Sequence, residues 1–267
     1  MDKERLLEMS ENPNHIKGIY NYCDRWCERC PLTSRCLLFA TEKEDETADD
    51  PETHDIQNEK FWQKLHESFQ LTMELIQDEA EKFGIDINNL PDDPELMQKH
   101  KDRMEAARNH PLTKKADQYF LKVHGWLENN RDLFERKSEE LQNKLLMDLE
   151  NENPEADAIK IKDASEVIHW YLMQIEVKLA RAFNSRIKDE NDEDRASYRE
   201  LDDADGSAKI SLIGVDRSIA AWGIMLKHFP EEENAFLDFL VILEQLRTGI
   251  EKEFPQASSF KRPGFDN

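Results

Sequence analysis

Apolar residues recur every three or four positions along most of this 267-residue chain, and no segment alternates with period two over a useful length. The spacing predicts a short polar helix in residues 1–18, ending at Asn12-Pro13, and a long helix over 55–83. That second helix carries an apolar stripe of Trp62, Leu65, Phe69, Met73, Ile76, Ala80 and Phe83 and stops at Gly84. Asp93-Pro94 supplies an N-cap and a first-turn proline for a short helix to about Arg108. His110-Pro111 breaks the chain, and Thr113 caps a helix to about Glu150, with Ala116, Phe120, Val123, Leu127, Phe134, Leu141, Leu145 and Leu149 on one side. Asn153-Pro154 restarts it, and Ile161, Ile168, Leu172, Ile175, Leu179 and Ala182 form the next stripe, to about Ile187. An acidic run, Asp189 to Asp194, suits a solvated loop, because a helix C-terminus favours cations. The segment from Asp205-Gly206-Ser207 to His228 is apolar on most sides, which predicts the most buried helix. A last helix opens at Glu231-Glu232-Glu233 and reaches about Phe254.

These elements predict an all-α fold: an antiparallel bundle of four to five long helices with a small N-terminal four-cysteine metal module. The expected organisation is a metal-binding module over 1–40, an acidic linker over 41–54, the helical bundle over 55–254 and a tail over 255–267. The tail either docks its two phenylalanines, Phe260 and Phe265, or is disordered.

Charge changes this picture in one place. The chain has 58 acidic and 36 basic side chains, a formal net charge of −22 that repels phosphate backbones and anionic membrane surfaces, so no nucleic-acid partner is expected. Residues 14–40 run the other way: Lys17, Arg25, Arg29 and Arg35 outweigh Asp24 and Glu28. No membrane span is expected, since Asp216 and Arg217 interrupt the most apolar stretch. The N-terminus has no apolar signal-peptide core, which points to the cytoplasm, where thiols stay reduced.

All four cysteines lie inside fourteen residues with the spacing C-x3-C-x2-C-x5-C: Cys23, Cys27, Cys30 and Cys36. Four thiolates on so short a run are a metal-ligand set, and Tyr20, Tyr22, Trp26 and Phe39 are placed to shield it. The compact run and its Cys30-Pro31 step resemble bacterial ferredoxin loops, with a different spacing, and favour a [4Fe–4S] cluster; Zn2+ is the alternative. The first three cysteines share the C-x3-C-x2-C spacing of radical enzymes that cleave S-adenosylmethionine. Those enzymes leave one iron open and need alternating strands and helices, whereas Cys36 here is a fourth ligand and no strands are expected. Arg25, Arg29 and Arg35 balance the charge of such a centre or tune it.

The bundle carries a weaker set. Glu166 and His169 have the E-x-x-H spacing of di-iron bundles, but the motif occurs once rather than twice. His169, Glu176, Asp216 and Arg217 are the residues to inspect for a second site, with His66 and His124 bordering their own stripes. The structural alternative is that Asp216 forms a buried ion pair with Arg181 or Arg217. Asp202-Asp203-Ala204-Asp205-Gly206 resembles a calcium loop only superficially, since its first and twelfth positions would be leucines. The leading expectation is a cytoplasmic metal-binding protein, with a redox or structural four-cysteine centre beside a bundle that binds a protein partner or small molecule. Two others stand beside it: a metal-dependent oxidase or hydrolase working in the bundle, and a zinc-stapled adaptor.

Overall fold

A computed structural model of the chain describes residues 2–44, 50–89, 93–147, 153–190 and 203–266. The middle of the expected linker, the end of the helix expected to reach Glu150 and most of the acidic run after residue 188 lie outside the described residues. Among those described there are nine α-helices, several one-turn 3₁₀ helices and no strand. The helices are α1 (Lys3–Ser10), α2 (Leu37–Glu44), α3 (Glu59–Lys82), α4 (Pro94–Asn109), α5 (Pro111–Asn129), α6 (Arg131–Met147), α7 (Pro154–Glu190), α8 (Asp203–His228) and α9 (Glu233–Glu253). None is long and apolar enough to cross a membrane. Two compact units emerge, one of residues 1–97 with 262–267, the other of 98–261, and the boundary falls inside α4.

The second unit is organised around α5, α7, α8 and α9, which pack as a ring: α5 on α7, α7 on α8, α8 on α9 and α9 back on α5. Each neighbouring pair runs antiparallel. His110 stacks on Phe183 while, further along α5, Asp117 faces Glu176. Ser185 bonds Asp203, Ser211 donates to the Ile175 carbonyl and Arg217 donates to the Tyr171 hydroxyl. Lys115 reaches Gln245, and Trp126 meets Phe236 and Phe239. Small residues on α8 allow the tightest of these contacts: Ala204, Ser207, Ser211, Gly214, Ser218 and Ala221 recur at helical spacing and are all buried. At Gly214 a β-carbon would stand only 3.0 Å from Ile175 Cγ1 and Tyr171 Cδ1, so the backbones approach where no side chain intervenes. Across the ring's diagonal, Trp222 Nε1 donates to the Tyr119 hydroxyl at 2.9 Å, with both side chains fully buried. As expected, α8 is heavily buried.

One expected helix is two. Residues 113–147 break at Asn130, where the side chains of Asn129 and Asn130 turn back and donate to the carbonyls of Gly125 and Trp126, each at 2.8 Å. Asparagine competes with the helical backbone in this way, and the chain restarts as α6, packed on α7.

The first unit differs more from expectation. Asp2 caps α1, whose Arg5 pairs with Glu44 of α2 and whose Lys3 pairs with Asp78 of α3. Asn58 caps α3, and Gly84 takes a left-handed conformation (φ 68°) just past its end. The apolar stripe of α3 was expected in a core, yet no residue of this helix is buried. Trp62 is 53% exposed and Phe69 62%. Periodicity reports that a helix has an apolar face; it does not report whether a partner covers it.

Candidate metal centre

The cysteine run is built from three consecutive 3₁₀ turns, Ile19–Asn21, Cys27–Arg29 and Thr33–Arg35. Gly18 (φ 72°) turns the chain into the first, and Cys23 follows it. Arg25, in the left-handed region at φ 58°, reverses the backbone between Cys23 and Cys27, a conformation that costs a non-glycine residue energy. Cys30 and Cys36 close the other two turns, their amides donating to the carbonyls of Cys27 at 3.1 Å and Thr33 at 3.2 Å. The Cys36 carbonyl then accepts from Ala40 as α2 begins. Short turns of this kind let four close positions face one space, which a continuous helix would splay around its axis.

That space is a cavity of about 20 Å³, room for one water-sized group. Cys23, Cys27, Cys30 and Cys36 all line it, with Tyr20, Trp26, Phe39 and Phe265 among its apolar walls. All four thiols are partly buried and none is in a disulfide. The Leu32 amide donates to Cys30 Sγ at 3.4 Å. Burial is the main cause that pushes the Cys27 thiol up; Glu42, Cys23 and Cys36 add to it, and Arg25 opposes it. Of the three arginines, Arg25 lines the cavity and lies 3.8 Å from Glu42. Arg29 instead covers the Trp26 ring at 4.0 Å, and Arg35 donates to the Asn14 carbonyl.

The donor set suits a thiophilic metal in number and kind. Among the described residues, however, no three His, Cys, Asp or Glu side chains stand in the close arrangement of a metal site. The four cysteines line one cavity without standing in such an arrangement.

The bundle residues do not converge. His169 is exposed, its Nδ1 2.8 Å from the Ser165 carbonyl. With Glu166 it edges an open groove of about 380 Å³ between α6 and α7, floored by Phe134, Leu141 and Ile161. Glu176 is half-buried against α5, its carboxyl pushed up by burial first and by Asp117 second. Asp216 is not a buried ion-pair residue: its side chain is 61% exposed and it lies 3.7 Å from Arg247 of α9. Arg181 pairs with Asp203 instead, and Arg217 lies exposed over Tyr171. Both Asp216 and Arg217 fall on the narrow solvent strip of α8, which its otherwise apolar sequence hides. His66 and His124 are likewise exposed.

No family model matches this chain, and no curated protein or solved structure matches it. What the sequence did not reveal is that the C-terminal end enters the first unit and brings Phe265 to the cysteines. The two phenylalanines of the tail were the available signal, without an address. The α6–α7 groove was also hidden, because it exists only where the chain breaks at Asn130.

Proposed function

We propose that Cys23, Cys27, Cys30 and Cys36 ligate one metal centre, an iron–sulfur cluster in the leading reading, in a cytoplasmic protein whose helical bundle recognises a partner or small ligand. The observation that carries this is the convergence of every cysteine of the chain on one aromatic-walled cavity. A second observation supports it. The first unit has only four buried apolar side chains among the described residues, Met9, Ile19, Tyr22 and Trp26, and two of these flank the cysteines directly. A unit with so small a core needs another source of stability, and thiolate ligation supplies folding energy outright.

When bound, an iron–sulfur centre would supply one-electron chemistry. The residues of the chain hold the ligands in register through the 3₁₀ turns, screen the sulfurs with Trp26, Phe39 and Phe265, and place the guanidinium of Arg25 beside them. Four thiolates also make the tetrahedral ligand set of one zinc ion, so a structural zinc, and with it an adaptor role, is the second reading. An oxidase or hydrolase in the bundle draws no support from His169, Glu176 and Asp216, which have no common cavity.

Anaerobic purification followed by visible absorption, metal analysis and acid-labile sulfide tests the proposal. Iron with sulfide and a broad visible band supports the leading reading. A colourless chain with stoichiometric zinc supports the second. A chain with neither metal refutes both.

A further inference from the structure

The C-terminal end of the chain, beyond the last helix, forms a closed loop of its own. The backbone amide and the guanidinium of Arg262 all bind the carboxylate of Asp266, at 3.0, 2.9 and 2.9 Å, and this ion pair is largely buried. The amides of Phe265 and Asp266 donate back to the Arg262 carbonyl, and the Arg262 guanidinium lies 4.9 Å from the Phe265 ring centroid. Charge, backbone and ring therefore hold one conformation. Gly264 sits at the bend with φ 80°, and a β-carbon there would approach Ile16 Cδ1 to 2.7 Å and Ile19 Cδ1 to 3.3 Å. A residue with any side chain would be both strained and crowded at that point. The result is a preformed loop seated on Ile16, Ile19 and Leu32, with the Phe265 ring in the wall of the cysteine cavity.

We propose that residues 262–266 are part of the cysteine site, and that Phe265 is a positioning residue that closes the cavity and keeps water and oxidants from the sulfurs. This rests on the metal reading above. Trp26 and Phe39 come from the same short stretch as the cysteines, whereas Phe265 arrives from the far end of the chain. Hence the site is complete only when residues 262–266 are present, and a chain cut before Arg262 carries the four ligands without their cover.

Two rates test this in the full-length chain: alkylation of the thiols by iodoacetamide in reduced, metal-free protein, and loss of metal to a chelator in loaded protein. Phe265→Ala is expected to raise both severalfold, and Phe265→Leu, which keeps an apolar plug, to return them close to wild type. Asp266→Asn, which loosens the loop without touching the cavity, is expected to raise both by a smaller factor. It serves as the second variant should Phe265→Ala fold poorly, judged by far-UV circular dichroism. Unchanged rates in Phe265→Ala, with a wild type that holds metal, overturn this inference alone. A wild type free of iron and zinc overturns the metal reading and this one with it.

Discussion

Replacing Tyr119 with phenylalanine removes one oxygen atom from the centre of the bundle and tests whether its diagonal is built as described. Tyr119 on α5 and Trp222 on α8 are fully buried, and the phenol oxygen is the acceptor of the indole N–H at 2.9 Å. In Tyr119→Phe the indole keeps its donor and loses its acceptor, out of reach of water. An orphaned buried donor costs about 1–3 kcal/mol, against about 0.5–1.5 for the average hydrogen bond that stays solvated when broken. For a unit of this size each kcal/mol lowers Tm by about 2–4 °C, so the expected loss is about 2–12 °C. The assay is urea denaturation of the full chain followed by far-UV circular dichroism, with Tm measured alongside. Alkali supplies an independent reading. Burial pushes the Tyr119 hydroxyl up to about 12. Its neutral form is therefore favoured in the folded state, and its contribution is present below the unfolded value near 10 and lost as pH rises from there through the folded value. Tyr119→Phe should flatten that alkaline limb. A loss below about 0.5 kcal/mol, within the range of an ordinary surface change, together with an unaltered alkaline limb would refute the buried pair.

Other consequences are open to the same measurements. His110 caps α5 with Nδ1 accepting from the Leu112 amide and stacks on Phe183 at 3.6 Å; burial holds its pKa down, so stability is full above about 6.5 and lost as pH falls through the folded value. His110→Asn, which keeps the cap and cannot titrate, should shrink the Tm difference between neutral and mildly acidic buffer. Glu176 has its pKa raised by burial, so its charge opposes folding above that pKa; Glu176→Gln should raise Tm at neutral pH, and the gain should vanish once both states are protonated in acid. At Gly214, valine should cost about 1–3 kcal/mol by overpacking against Ile175 and Tyr171, while alanine recovers about 1 kcal/mol of helix propensity and loses less. Urea titrations of the two variants separate these outcomes, and equal stability of both would count against the close α7–α8 approach.

The fold class was legible because burial on helices is written at a spacing of three and four residues, and the stripe of α7 lies inside as its sequence requires. Helix starts were legible where proline follows a capping residue, as at Pro94 and Pro154, but at Pro111 the expected cap was Thr113, whereas His110 caps the helix and Thr113 is buried within it. The break at Asn130 was not, since a pair of asparagines is compatible with an exposed helical turn until their side chains choose the backbone. Asp216 misled for a related reason: on a helix buried almost all round, a single charged position reads as core, and only the packing of α9 shows where the solvent strip lies. At the cysteines, spacing showed four thiols close in sequence, while the presence of Phe265 in the wall of the cavity they line depends on a contact between residues more than two hundred positions apart. No local pattern encodes that.

The two units place different demands on the proposed centre. The bundle holds most of the buried large apolar side chains among the described residues, including Trp222, Phe183, Phe236 and Leu243, each contributing about 1.5–3 kcal/mol, a core large enough to carry its own folding. The first unit has Ile19, Tyr22 and Trp26 gathered at the cysteine turns, with Met9 on α1, and a helix α3 with no fully buried residue. Three things join its turns: the ion pairs of α1 and α2, the loop at Gly264 and, on the proposed reading, the metal ligands. Surface ion pairs such as Arg5 with Glu44 are screened by solvent and add little, too little to hold strained turns such as that at Arg25. Metal ligation by four thiolates stabilises far more than such pairs do. Stripping metal with a chelator should then lower the melting temperature of the first unit well below that of the bundle, so thermal unfolding followed by circular dichroism should change from one main transition to two. If chelation leaves the unfolding curve of a metal-loaded chain unchanged, the centre is not what holds the cysteine turns together.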